Sequence, residues 1–454
     1  MRIGLEVHCG LDTESKLFCA CSARPSPEER PNSRCCPVCL GHPGSRPLTN
    51  SRAVSHALRV ALALGCRIPA ELRFARKSYF YPDLPKNFQI TQYDHPLGGG
   101  GTMETSFGSV ALRRIHLEED PGAIVDRGSY VLVDYNRSGC PLLEIVTEPA
   151  LKNAEEARAF VDELSVLLGC LGVYSPERNI LKVDANISLS DVRVEIKNIL
   201  GQRELQRALE YEEARQDETI ARGEAIVQET RHWDAALGAT KPMRSKESED
   251  DYGYIEEPDL VPHPLEKGWL AEVRKALPEL PLSRSRRLVK QYRIAEDDSR
   301  IICFSGLADA FETIAGSVDP VLAARWTRRE VLRVLNLRGE RVISLELLRQ
   351  IASLLALVEK KKVTDAIAKE LLEKLFEKPF DVKTRVGAGL SVVMGDELRA
   401  VCERVVKENQ KAVSDYQSGR PEALDFLLGQ VMRATKGRAD PGAARLLLKE
   451  LGKA

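Results

Sequence analysis

The chain has 454 residues, of which 43% are hydrophobic and 29% charged, the balance of a soluble globular protein. At roughly 150 residues per domain that is room for two to four domains. A net charge of −1 excludes a molecule drawn onto nucleic acid by its global field, so any polyanion contact must come from local patches. No apolar run is long enough to span a membrane. The N-terminus, MRIGLEVHCG, has no signal-peptide h-region, and a cytoplasmic protein is expected. Eleven cysteines, four of them at metal-like spacing, favour metal and free thiols over a disulfide framework.

Residues 3–8 alternate as a short strand, and Glu6 and His8, two apart, leave it on the same face. Such a pair can ligate a metal or handle a proton; alone it is more often a hydrogen-bonded structural histidine. Next come Cys19-Ala-Cys21 and Cys36-Pro-Val-Cys39, spacing that suits a tetrahedral, structural Zn²⁺ closed by four thiolates. Cys35 leaves the choice of fourth ligand open, Cys9 is a weaker candidate, and Gly41 permits the tight turn after Cys39. Residues 50–65 read as a packing helix with Asn50 as N-cap and Gly65 as its stop.

KSYFYPDLPKNFQITQYD interleaves Lys77, Tyr79, Tyr81, Asp83, Lys86, Gln89 and Gln92 with aromatics, the composition of a binding cleft or of a packed surface loop. Gly98–Gly101 reads as a flexible turn; it is no P-loop, because no GK[ST] follows. Residues 107–148 read as a meander with turns at Pro121-Gly122 and Arg127-Gly128. This meander carries Glu118, Glu119, Asp120, Asp134 and Glu144. Glu144 sits inside the apolar run Leu142–Val146, where a bare carboxylate is costly and must be paired, protonated or bound to a cation. Salt bridges to Arg113, Arg114 and Arg137 are one reading; Mg²⁺ carrying a phosphate group is the other.

Asn153 and Glu156 start a helix striped by Phe160, Leu164, Leu167 and Leu168. ILKVDANISL and DVRVEIKNI form an expected hairpin, with Lys182, Asp184 and Asn186 on one face of the first strand and Arg193, Glu195 and Lys197 on one face of the second. That polar face is either solvated or lines an anionic-ligand site. A charged helix over about 202–222 is followed by a long stretch of weak periodicity containing Arg231, Arg244, Lys246, Asp251, Tyr252, Tyr254 and Asp259. Helical periodicity takes over beyond about residue 265. SRSRRLVKQYRI and RWTRREVLRVLNLRGER are strongly basic, either contacting nucleic-acid phosphates or forming solvated faces with i,i+4 pairs. A helix is expected over 345–358, with a turn at Lys360–Lys362.

The stretches IGLEVHCGLDTESKLFC, CPVCLGHPG, KSYFYPDLPKNFQITQYD, IHLEEDPGAIVD, DYNRSGCPLLEIVTEP, VDANISL, RVEIKNI, IVQETRHWD, MRSKES and LLGQVMRATKGRADP run the length of the chain. In these ten motifs the chain resembles the B subunit of the tRNA-dependent amidotransferase (GatCAB). The resemblance implies an α+β cradle domain over 1–265, built on a mixed or antiparallel sheet with flanking helices and including the zinc loop 19–39. It also implies an all-α helical domain over 266–344 and a YqeY-like tRNA-binding tail over 345–454. The implied activity uses ATP and Mg²⁺ to phosphorylate the side-chain carboxylate of Glu or Asp on misacylated tRNA. Ammonia, released from glutamine by a partner amidase A subunit, then forms the amide, and a small C subunit completes a heterotrimer. Glu6, His8, Glu119 and Glu144 match family positions around Mg²⁺, with Glu118 beside them and His8 alternatively orienting a metal-bound water. Lys77, Lys182, Arg193 and Lys197 would face ATP or acyl-phosphate charge, and Asp184 and Glu195 join less directly. Arg244, Lys246 and Asp251 carry no implied role. Cys9 and Cys140 stand where other residues are common in the family, and Cys140, close to Glu144 in sequence, is either a small buried residue or an oxidation-sensitive one. The paralogous E subunit would carry a large inserted domain resembling aspartyl-tRNA synthetase, which this chain lacks between its motifs. A non-catalytic tRNA-binding scaffold would not keep Glu6, His8, Glu119 and Glu144.

Overall fold

The computed structural model describes residues 1–244, 252–387 and 392–452. Two compact units are present, Met1–Pro281 and Leu282–Ala454. Lys246 and Asp251 lie outside the described residues.

The first unit opens with β1 (Arg2–Gly10), α1 (Ser51–Ala63), β2 (Glu71–Leu72), β3 (Ala75–Ser78) and β4 (Phe88–Thr91). The meander follows as β5 (Gly98–Gly99), β6 (Thr102–Thr105), β7 (Gly108–Glu119), β8 (Ala123–Asp126), β9 (Val131–Asp134) and β10 (Pro141–Thr147). Then come α2 (Ala154–Cys170), β11 (Lys182–Ser188), β12 (Val194–Leu200), α3 (Gln202–Ala221), β13 (Thr230–Asp234) and β14 (Ala239–Arg244). The unit closes with β15 (Ile255–Glu256), β16 (His263–Pro264) and α4 (Lys267–Lys275).

Nine strands make one mixed sheet, in the order β14-β13-β12-β11-β1-β10-β7-β5 with β6 also on β7. Its β12–β13 pair is parallel. The sheet buries one face because its central strands alternate, most cleanly β1 and β11. Ile3, Leu5, Val7, Ile115, Leu117, Leu143, Ile145, Val183, Ala185 and Ile187 are buried in one continuous core with α1, α2 and α3. Polar side chains therefore leave the opposite face. Side-chain caps set the helix starts: Asn50 accepts from the backbone N–H groups of Arg52 and Ala53, and Asn153 from that of Glu156. Trp269, Leu270 and Val273 of α4 pack on the same core.

Two stretches differ from their sequence reading. Gly98–Gly99 is not a free turn but a strand paired with Ile115 and Arg114 of β7. A Cβ at Gly101 would meet Cys66 Sγ at 2.5 Å, so close approach and not flexibility explains the glycines. The weakly periodic stretch after α3 supplies β13 and β14, which extend the main sheet. Its alternation is hidden because an inward-facing arginine replaces an apolar residue. Arg231 is buried on Thr240 and Glu212, in a network completed by Arg215.

The described part of the second unit is helical, with two apolar cores. Leu288, Phe311, Trp326, Leu355 and Leu372 belong to the first, which reaches Val386. Leu398, Cys402, Leu427 and Leu448 belong to the second. The helix Leu345–Glu359, capped by Ser344, is part of the first core.

Candidate active site

The register of three adjacent strands assembles the site. His8 on β1 lies opposite Glu144 on β10, and Glu144 lies opposite His116 on β7. Glu118, two residues beyond His116, leaves the same polar face. His8 Nε2 is 3.2 Å from Glu144 Oε2 and 3.9 Å from Glu118 Oε1. His116 Nε2 is 3.6 Å from Glu144 and 3.7 Å from Glu118. One ligand atom each from His8, Glu118 and Glu144 lie within 4.8 Å of one another.

Glu119 is not in this group. Strand alternation sends it to the other side of β7, where its carboxylate pairs with Lys86 and accepts from the backbone N–H of Ile90 at 2.9 Å. The residue that shares the polar face with Glu144 is Glu118, so of the expected Mg²⁺ set Glu119 is the member set apart from His8 and Glu144. Sequence reasoning also passes over His116, although IHLEED offers the same i, i+2 signal as Glu6 and His8. Gly41, at φ +67, is required where the Lys86 stem crosses: a Cβ there would lie 2.2 Å from Lys86 Cγ.

Glu6 stands one step along β1 on the polar face, opposite Asp184. Asn186 Nδ2 donates to it at 3.3 Å, while the buried Asn186 Oδ1 has no partner. Burial, then the charges of Glu144, Glu195 and Asp184, raise the Glu6 carboxyl. Burial opposes charge on His8, but its hydrogen bond to Glu144 and the surrounding carboxylates outweigh this and push it up to about 10. Burial likewise opposes charge on Glu144, yet His116, His8 and Arg114 together hold it below the usual carboxylate range. Closely set carboxylates with an orphaned buried oxygen fit a hard divalent cation.

Lys182 and Lys197 flank the group. Lys182 Nζ is 3.8 Å from Asp120, and Lys197 Nζ is 3.6 Å from Glu195 and 3.9 Å from Asp184. Arg193 is exposed before β12 and makes no ion pair among the described residues. Lys77 lies on the smaller sheet of β15, β3 and β4, its ammonium 4.5 Å from the Tyr252 ring centroid. Gln89 and Gln92 do not open towards a ligand: Gln89 donates to the Glu119 carbonyl at 2.8 Å, and Gln92 accepts from the Leu117 N–H at 3.0 Å. Asp120 pairs with Arg137, and Asp134 accepts from the N–H groups of Asn32 and Asn136.

A second cluster gathers Cys19, Cys21, Cys36 and Cys39, whose sulfurs also lie within 4.8 Å of one another. Cys36 and Cys39 Sγ are 3.9 Å apart, near the spacing of two thiolates on one tetrahedral Zn²⁺. Hydrogen bonding from Cys19 leads the effects that hold the Cys39 thiol down to about 4. Cys35 is outside the cluster, and Cys9 is buried in the core. Burial pushes the Cys140 thiol up to about 11.

In the second unit the expected basic helices are largely neutralised internally. Arg284 and Arg287 pair with Glu312, Arg328 with Asp298, and Arg333 with Glu330 and Glu373. A different group is left: Arg349, Lys360, Lys361, Lys362 and Lys383 line a cleft of about 1000 Å³ that no acidic side chain lines among the described residues. Lys361 has φ +53, so the turn presents three successive lysines.

Comparisons with known proteins bear on the chain as a whole. Residues 1–271 match the GatB/GatE catalytic domain and residues 309–451 the GatB domain. Proteins described as the B subunit of aspartyl/glutamyl-tRNA(Asn/Gln) amidotransferase are similar over nearly their whole length. That of Methanospirillum hungatei is 44% identical over 99% of this chain and 98% of its own. That of Thermomicrobium roseum is 45% identical over 99% and 97%, and that of Thermus thermophilus 43% over 99% and 98%. The chain belongs to the family formed by the B subunits of aspartyl/glutamyl-tRNA(Asn/Gln) amidotransferases. No helix among the described residues is long and apolar enough to cross a membrane.

Proposed function

We propose that the chain activates the side-chain carboxylate of Asp or Glu esterified to a non-cognate tRNA by transferring the γ-phosphoryl group of ATP to it. The acyl phosphate is then attacked by ammonia, which forms the amide and releases phosphate. Ammonia comes from glutamine, hydrolysed by a partner amidase subunit, and a small third subunit completes the assembly. Aminoacyl-tRNA and ATP put the reaction in the cytoplasm.

The observation that carries this reading is the convergence of His8, Glu118 and Glu144 within 4.8 Å on an otherwise polar sheet face. Glu118 and Glu144, with Glu6 beside them, would hold Mg²⁺, and His8 would join them as a ligand only by giving up its proton when the cation binds. Bound Mg²⁺ would neutralise phosphate charge and orient the donor for in-line transfer. His8 and His116 hold Glu144 and Glu118 ionised, so the carboxylates stay available as ligands. Lys182 and Lys197 are placed to meet charge developing on the transferred phosphoryl group, and Lys77 extends the basic rim from the smaller sheet. Arg193, exposed and unpaired among the described residues, is left for the ATP or tRNA side. The four thiolates at Cys19, Cys21, Cys36 and Cys39 are assigned to structural Zn²⁺, a closed set with no open position for catalysis. The cleft of Arg349, Lys360, Lys361, Lys362 and Lys383 is assigned to tRNA phosphates.

The test is reconstitution with the amidase and small subunits, ATP, Mg²⁺ and glutamine, on Glu-tRNA(Gln) and Asp-tRNA(Asn) separately. Amide formation on at least one, with ADP released in equal amount, supports the reading. Amide formation without ATP consumption refutes it.

A further inference from the structure

Lys16 is fully buried, with none of its surface reaching solvent. A buried ammonium needs a counter-charge, yet no carboxylate pairs with it among the described residues. Its Nζ donates instead to the carbonyls of Arg34 at 2.8 Å and Tyr135 at 3.3 Å, and to Cys39 Sγ at 3.7 Å. Two carbonyl dipoles orient the cation without neutralising it. The Cys39 sulfur is the anionic candidate that Nζ contacts directly, while the Cys35 and Cys140 thiols also feel its charge.

That arrangement matches a need on the metal side. Zn²⁺ with four thiolates carries two net negative charges, and a site set into the protein has to offset them. The contacts of Lys16 also reach beyond the loop. The Tyr135 carbonyl begins the turn that leads into β10, the strand of Glu144. Leu17 N–H donates to the Gly139 carbonyl in that turn at 2.8 Å. A Cβ at Gly139, which has φ +80, would lie 3.6 Å from Lys16 Cδ. Asn136 fastens the same turn to the loop from the other side, accepting from Arg34 N–H at 2.7 Å and donating to the Arg30 carbonyl at 2.7 Å.

We propose that Lys16 is the buried counter-ion of the four-thiolate metal centre and that, through the Tyr135 carbonyl, it ties the centre to the turn before the Glu144 strand. It is a positioning residue, touching neither substrate nor phosphate. The inference rests on the metal reading of the four cysteines. It makes that centre more than a staple of its own loop, because metal occupancy is transmitted to one wall of the candidate active site.

The test uses the full chain loaded with Zn²⁺ and a chromogenic chelator in competition. Lys16→Met keeps the stem and removes the charge, and its Zn²⁺ affinity should fall about 10- to 100-fold. The Co²⁺-substituted variant should keep tetrahedral thiolate absorption, showing that the four ligands remain. Affinity within about twofold of wild type would overturn the proposal. Because Lys16→Met removes a buried group, a second measurement is made on the unaltered chain. Hydrogen exchange of the Tyr135–Cys140 amides should quicken when Zn²⁺ is stripped, and unchanged exchange there would overturn the link to the turn even if the variant does not fold. A wild-type chain that takes up neither Zn²⁺ nor Co²⁺ refutes the metal reading itself, an outcome distinct from a loaded centre indifferent to Lys16.

Discussion

The two cation-like clusters of the first unit are built in opposite ways. The four cysteines come from 21 consecutive residues, Cys19 to Cys39, and close on themselves. The His8–Glu118–Glu144 group comes from three strands up to 136 residues apart and lies on the polar face of the sheet, with both glutamates buried. The first is soft, sulfur-lined and steadied by one buried lysine. The second is hard, oxygen-lined and crowded with carboxylates, so that Glu6 is pushed towards its neutral form. Four thiolates suit a metal held in place; a hard carboxylate set beside lysines suits a cation that carries phosphate ligands. The proposed function divides structural and catalytic duty between these two clusters of one unit.

That contrast can be broken most severely at Glu144. Glu144→Gln should reduce ATP-dependent amide formation by about 10³-fold or more in the reconstituted complex, while tRNA retention on filters stays within a few-fold. Substantial remaining activity would remove the carboxylate cluster from the chemistry. On the closed side, the purified chain should hold about one Zn²⁺ by elemental analysis, and Cys36→Ser should lose it. A metal-free native chain would leave the two clusters without the proposed division.

A smaller effect is expected in the second unit. Replacing Lys360, Lys361 and Lys362 by Gln should weaken tRNA binding and flatten its log–log salt dependence by about two to three. The same replacement at the acid-paired Arg284 and Arg287 should leave the slope nearly unchanged. Smallest is a reactivity difference. The Cys140 thiol is raised to about 11 by burial, so little of it is thiolate at pH 8. Its alkylation should be much slower than that of exposed Cys170 and should rise with pH towards 11, as peptide mapping after iodoacetamide would show.

Much of this organisation is legible in the sequence, and what is not has identifiable causes. The cysteine centre is a local pattern, readable from spacing alone, and Asn50 and Asn153 announce their helices. The polar face is legible on β1, β11 and the first half of β12, where alternation is clean. It is ambiguous on β7, where two glutamates are adjacent and only the pairing of His116 with Glu144 decides that Glu118 shares their face. A one-residue choice on a strand is a choice of face. The β13–β14 pair is hidden by buried Arg231, because neither Glu212 nor Thr240 is recognisable as its partner before the chain folds. The basic helices around 281–292 and 326–341 look like polyanion surfaces because charge runs do not reveal which acids fold against them.

The most direct test of the account is Mn²⁺ binding, followed by electron paramagnetic resonance, to wild type, Glu118→Gln and Glu119→Gln. The geometry predicts that Glu118→Gln weakens Mn²⁺ about tenfold or more, while Glu119→Gln, which breaks only the pair with Lys86, stays within about twofold. Loss of Mn²⁺ in Glu119→Gln with retention in Glu118→Gln would contradict the assignment of the polar face as the metal-bearing wall.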